Sequence, residues 1–123
     1  MEYDRNMDRQ CISLCNALNA IPGVSTYESC CGHNKHEFRI WFTTTNVNGL
    51  YVIARVLDPR YYYFPTWSCR LDGSDMPEYS PTFFLHSGSH KGRRAYREAE
   101  KLAKCIYHFL SNEKLMDHYQ IKG

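Results

Sequence analysis

Residues 87 to 100 read SGSHKGRRAYREAE and place His90, Lys91, Arg93, Arg94 and Arg97 where a helix is expected to begin. A helix N-terminus carries a partial positive charge, so cations there oppose the dipole unless an anion shares that end. A strand, then Ser87 to Gly92, then a helix is the layout of a phosphate site. Free backbone N–H groups point outward, and glycines such as Gly88 let a ligand approach the chain. Ser87 and Ser89 add hydroxyl donors, Lys91 a point charge, and Arg93 or Arg94 a bidentate grip. The spacing is not that of a Walker loop, so nucleotide hydrolysis does not follow from it. Without a ligand the same stretch is a solvated basic loop whose charge Glu98 and Glu100 partly offset.

A second constellation is Ser29-Cys30-Cys31-Gly32-His33, with His36 just beyond it. Three chemistries are open there. Zinc takes Cys and His ligands, and one cysteine, His33, His36 and either Cys69 or His86 would supply them, although adjacent cysteines point to opposite sides of an extended chain. A thiol nucleophile would use His33 or His36 as its base, with no third partner assignable from sequence. A backbone nest at Gly32, with Ser29, His33 and Arg39 as donors, would hold an anion. We read the loop as a tight hairpin whose cysteines pack inward around such a nest, and expect no metal and no cofactor.

Aromatic residues make up 15% of the chain, including ten tyrosines, more flat surface than a core of this size needs. Trp41 alternates with Phe38, Ile40 and Phe42, so one of the two sets looks away from the core. Arg39 beside it can stack or pair with phosphate. Tyr61, Tyr62, Tyr63, Phe64 and Trp67 offer further platforms. Rings next to fixed cations suit a nucleotide, with stacking for the base and charge for the phosphates. A second small core or a subunit interface would use the same rings.

These residues must be held by elements that the periodicity makes visible. Met7, Cys11, Leu14, Cys15 and Leu18 fall at helical spacing and predict a helix from Tyr3 to Asn19, stopped by Ile21-Pro22-Gly23. Val24 to Cys30 and Glu37 to Thr44 read as a hairpin. Asn46 or Asn48 caps a helix carrying Val47, Leu50, Ile53, Ala54 and Leu57, which Asp58-Pro59 ends. Strands are expected at Thr66 to Leu71 and Thr82 to His86, with Asp72-Gly73 as a turn and a polar loop to Pro81. A long helix then runs from Gly92 to Ser111 with Ala95, Ala99, Leu102, Ile106, Phe109 and Leu110 inward. The tail from Asn112 is a further short helix or an arm to a partner subunit. The expected fold is α+β: a single domain, residues 1–123, with a four-stranded antiparallel sheet and about three helices on it, in the order helix, hairpin, helix, hairpin, helix.

A net charge of +2 on 123 residues is too small for a grip on long nucleic acid, so the positive charge acts locally on a small anion. The polar N-terminus and the lack of a long apolar run predict a cytoplasmic protein without membrane contact. The six cysteines are then reduced, with Cys11, Cys15 and Cys105 as small buried hydrophobes.

The run from Leu14-Cys15-Asn16-Ala17-Leu18-Asn19-Ala20-Ile21-Pro22-Gly23-Val24 through Glu28-Ser29-Cys30-Cys31-Gly32-His33 to Phe38-Arg39-Ile40-Trp41-Phe42 resembles a group of short phage and prophage proteins. Ser29-Cys30-Cys31-Gly32 is also similar to the Ser-Cys-Ser-Gly-Arg signature of wybutosine-synthesis methyltransferases, from which Cys31 and His33 depart. By class, the chain resembles phage sponges that sequester nucleotide signals of bacterial immunity. That resemblance implies a non-enzymatic binder of a cyclic ADP-ribose isomer or cyclic oligonucleotide, as a homodimer or larger. The expected ligand contacts are Ser87, Gly88, Ser89, Lys91, Arg93 and Arg94 on one side, and Arg39, Trp41, Cys31, Gly32 and His33 on the other. Two other readings stay open: an enzyme on a nucleotide or phosphoester using His33, His36, His86 or His90, and a protein–protein inhibitor presenting the aromatics.

Overall fold

A computed structural model of the chain describes residues 8–72 and 81–122. The alternation around Trp41 becomes a strand in which Phe38, Ile40 and Phe42 are fully buried while Arg39, Trp41 and Thr43 lie half-buried on the other face. The four strands are β1 (Val24–Cys30), β2 (Glu37–Thr44), β3 (Ser68–Asp72) and β4 (Thr82–Lys91). All neighbours pair antiparallel in the order β1-β2-β4-β3, so β1 and β3 are the edges. Together with helices α1 (Ile12–Ala20), α2 (Leu50–Val56), α3 (Gly92–Leu110) and α4 (Glu113–His118) they make an α+β fold.

The helices cover one face. The stripe of α3 buries Ala95, Ala99, Leu102, Ala103, Ile106 and Phe109, and α3 packs on α1, α2, β2 and β4. From α1 come Leu14 and Leu18, which share the core with Phe38, Phe42 and Leu85. Burying each such side chain contributes roughly 1.5–3 kcal/mol. Among the described residues no helix is long and apolar enough to cross a membrane.

Several boundaries differ from the sequence expectation, for local reasons. The first helix proper starts at Ile12, preceded by a 3-10 turn at Arg9–Cys11; Tyr3 to Met7 lie outside the described residues, as do Gly73 to Ser80 of the expected turn and polar loop. Asn46 is the cap of the second helix, its side chain accepting from the Asn48 N–H at 3.0 Å. That helix also opens with a 3-10 turn, Val47–Gly49, which rotates every residue after it about the helix axis. Its buried face is therefore Val52, Ile53 and Val56, while Val47 is 67% exposed and Ala54 faces out. Asn112 caps α4 by accepting from the Leu115 N–H. The largest departure is β4, which runs on through Lys91 where a phosphate loop was expected.

Candidate functional site

The face of the sheet away from the helices carries the chemistry. Antiparallel register lines up Cys30 of β1, Arg39 of β2, His86 of β4 and Ser68 of β3 in one row. The next row is Glu28, Trp41, Phe84 and Arg70. Directly opposed residues share a face and lie within side-chain reach. Trp41 stacks on Phe84 with centroids 6.2 Å apart, and Phe84 stacks on the His86 ring at 4.9 Å. The Arg39 guanidinium lies 5.2 Å from the Trp41 ring centroid, within cation–π range. Among the described residues its buried Nε has no hydrogen-bond partner.

Beyond His86 the β2–β4 register breaks, because Arg39 opposes His86 but Glu37 opposes Lys91. A bulge thus sets Ser87, Gly88, Ser89 and His90 against Phe38 alone. Gly88 takes φ 67° there, a conformation glycine reaches at little cost. The hydroxyl of Ser87 fastens the bulge: it accepts from the Phe38 N–H at 2.9 Å and donates to the His90 carbonyl at 2.6 Å. Ser87 is fully buried, so it shapes the strand and is not a donor to a ligand. A glycine inside a strand pattern signals a bulge, and Ser-Gly-Ser was that signal.

The bulge opens a pocket of about 330 Å³ lined by His36, Glu37, Arg39, Gly88 and Lys91. Of the residues expected to bind, Arg39, Gly88 and Lys91 meet here, with Trp41 beneath Arg39. Ser89, Arg93 and Arg94 are exposed and do not line it. His90 has turned inward. Its Nδ1 lies 2.9 Å from Glu98 Oε1, which also accepts from the Trp67 indole N–H at 3.1 Å. Part of the puzzle of cations at a helix start dissolves here, since His90, still in β4, has a carboxylate from the helix that follows and Lys91 belongs to the pocket. Arg93, Arg94 and Arg97 remain exposed around an α3 N-terminus that no side chain caps.

Beside the pocket stands an arrangement that the sequence did not announce. Ser68 Oγ is 2.8 Å from His86 Nε2, and His86 Nδ1 is 2.9 Å from Glu37 Oε2. An ionised carboxylate only accepts, so Nδ1 carries the ring proton and Nε2 is left to accept from the Ser68 hydroxyl. Glu37 and Ser68 had no visible role in the sequence. Alternation puts Glu37 on the face of Arg39, but only strand order brings β3 and β2 to opposite sides of β4.

The chain matches no family model, no curated protein and no solved structure. Its chemistry therefore has to be read from the residues themselves.

At the tip of the first hairpin Gly32, His33 and Asn34 have consecutive positive φ of 82°, 51° and 66°. They form a left-handed turn closed by the Lys35 and His36 N–H groups, which donate to the Gly32 carbonyl at 3.0 and 2.9 Å. The Gly32 and His33 N–H groups face the thiols of Cys30 and Cys31 rather than an anion. The anion in reach is the protein's own: Asp8 Oδ2 accepts from the Cys31 N–H at 2.8 Å. That bond holds the Asp8 carboxyl below the usual range against an opposing effect of partial burial. Cys31 packs inward, and burial pushes its thiol up. His33 bridges loosely, 3.9 Å from Cys31 Sγ and 3.8 Å from Asp8 Oδ2. One ligand atom from each of Asp8, Cys31 and His33 lies within 4.8 Å of the others, close enough together to be considered for a metal ion. Cys31, Gly32 and His33 do not line the pocket. Their neighbour is α3, through Tyr96, whose hydroxyl donates to Asn34 Oδ1 at 3.2 Å.

Proposed function

We propose that this protein binds a small nucleotide-derived anion on the open face of its sheet. The observation that carries the reading is Arg39: a guanidinium stacked over Trp41, with an unpartnered buried Nε, at the wall of a pocket that Lys91 and His36 also line. An unsatisfied buried N–H costs about 1–3 kcal/mol, and a phosphate oxygen would relieve it. Lys91 and His36 add charge, Trp41 and Phe84 offer a ring surface of the size of a base, and Arg70 flanks it in register. The exposed arginines of the first turns of α3 raise the local positive potential and steer an anion inward.

The resemblance to phage proteins supports sequestration of an immune signal, a cyclic ADP-ribose isomer or cyclic oligonucleotide, as the biological use. Tight retention needs a closed pocket, and a second copy over the open sheet face would close it. The test is depletion. Purified protein is mixed with a panel of these nucleotides, and the filtrate is analysed by mass spectrometry before and after heat denaturation. Wild type is expected to remove one of them, and Arg39→Ala to bind it about 10–100-fold more weakly. Unchanged affinity in Arg39→Ala would remove the basis of the assignment.

A further inference from the structure

We propose that Ser68, His86 and Glu37 form a nucleophile–base–orienter relay that cleaves a phosphodiester of a ligand anchored at the neighbouring pocket. The substrate class rests on the anion-binding reading of that pocket; the chemistry rests on the relay alone.

The geometry meets the requirements for an activated serine in order. Nucleophile and base are within hydrogen-bond reach at 2.8 Å, and base and carboxylate at 2.9 Å. The carboxylate takes Nδ1, fixing the tautomer that lets Nε2 receive the serine proton. His86 is held from three sides: by Glu37, by Ser68 and by the Phe84 ring beneath it. Its side chain is 12% exposed, so solvent does not compete for Nε2, while Ser68 stands half-buried on the edge strand where an electrophile can reach it.

A second histidine–carboxylate pair, between β4 and α3, shows what a structural pair looks like. His90 and Glu98 are both nearly buried, and the further partner, the Trp67 indole N–H, bonds the carboxylate and has no nucleophilic atom. In the relay the further partner is a hydroxyl on the histidine itself.

The neighbours select the electrophile. Arg39 sits next to His86 in the same row, and Lys91 and His36 line the pocket that Glu37 borders. Phosphoryl transfer depends on positioning and on cations that hold the substrate, and these three anchor one phosphate of the ligand. Because Ser68 lies across His86 from them and borders a separate cavity, the diester it attacks is a second one of the same ligand. Ser68 Oγ attacks phosphorus, forming an Oγ–P bond as the P–O bond to the leaving alcohol breaks. His86 Nε2 takes the serine proton and passes it to the departing oxygen. Water then attacks the phosphoserine, gives a proton to His86, and Ser68 leaves with that proton. One ester and one water become one alcohol and one phosphomonoester, with no change of oxidation state.

Three readings on the full chain test this. Diisopropyl fluorophosphate, from which Ser68 would displace fluoride, is expected to label wild type at Ser68, located by tandem mass spectrometry; no label there overturns the relay. With bis(p-nitrophenyl) phosphate as substrate, Ser68→Ala and His86→Asn are expected to lose turnover by about 100-fold or more. Glu37→Gln, a positioning change, should lower kcat, and Glu37→Asp, which keeps a carboxylate for His86, should recover part of it. A wild-type rate no higher than buffer, or an unaltered rate in Ser68→Ala, overturns the proposal. Matching circular dichroism and melting midpoints certify that the variants fold, and the labelling of wild type does not depend on them. The depletion assay separates the two ideas. A nucleotide returned cleaved by wild type and intact by Ser68→Ala supports the relay. One returned intact by wild type overturns it and leaves the binding reading standing. If nothing is retained, the binding reading falls, and labelled Ser68 still supports the relay.

Discussion

Two histidine–carboxylate clusters flank the start of β2, and they are built by opposite means. In the relay, each member comes from a different strand, and ladder register sets Ser68, His86 and Glu37 at 2.8 and 2.9 Å. At the hairpin tip, Cys31 and His33 are near neighbours in one turn, and Asp8 arrives from the segment before α1, giving 3.9 and 3.8 Å. His33 is 70% exposed, against 12% for His86. The nucleophile of the tip is turned into the core with its thiol pushed up by burial, whereas that of the relay is at the sheet edge. Residue types alone make the tip look the more reactive of the two. Rigid strands make a good relay from ordinary residues, and a turn makes a poor one from reactive residues.

The largest effects should come from the glycine that each region depends on. A Cβ at Gly32, where φ is 82°, would collide with the His36 carbonyl, and one at Gly88, where φ is 67°, with the Thr66 carbonyl. Gly32→Ala and Gly88→Ala should each cost about 2–4 kcal/mol, lowering the melting midpoint by about 10 °C or more. Gly88→Ala should also distort the bulge and with it the anion pocket. A pocket unaffected by Gly88→Ala would break the link between bulge and site.

Next is Ser87→Ala, which strands the Phe38 N–H and the His90 carbonyl in the interior. A loss of about 1–3 kcal/mol is expected in denaturant unfolding. The comparison sharpens if Ser89→Ala, at an exposed position of the same bulge, leaves stability within about 0.5 kcal/mol of wild type.

A smaller effect depends on pH. The Asp8 carboxyl is depressed in the folded chain, chiefly by the Cys31 N–H, so its contribution is fully present above the unfolded value of about 3.9. It is lost as pH falls through the lower folded value. The melting midpoint of wild type should therefore exceed that of Asp8→Asn at pH 6, and the gap should begin to close only as pH falls below about 4. A gap independent of pH would mean that the bond from the Cys31 N–H gains nothing from the charge.

The smallest signal is kinetic. Cys31, buried and with its thiol pushed up, should react with iodoacetamide at pH 8 at least about tenfold more slowly than a free thiol. Fast alkylation would restore the thiol-nucleophile reading of the tip and reverse the comparison.

How far the sequence reaches can be judged on single residues. Period-two alternation gave the second strand of the first hairpin as it stands, and the apolar stripe of α3 is legible from Ala95 to Phe109. Both signals are local, written by residues that bury one face. The α2 face was misjudged because a 3-10 turn shifts the angular position of every later residue, and hydropathy does not record that. Ser87 looked like a ligand donor because a serine between a strand and a helix is usually exposed; only the missing ladder partner of Phe38 explains its burial.

Of the expected binding residues, Arg39, Gly88 and Lys91 converge, while Cys31, Gly32 and His33 gather around Asp8 instead. The sequence by itself determined which residues are cationic, which glycines bend the chain and which face of each strand is apolar, because those properties belong to a residue and its near neighbours. The strand order β1-β2-β4-β3 and the bulge in β4 determined that Glu37, His86 and Ser68 meet. Those pairings join positions far apart in the chain, and they exist only once the helices have buried the other side of the sheet.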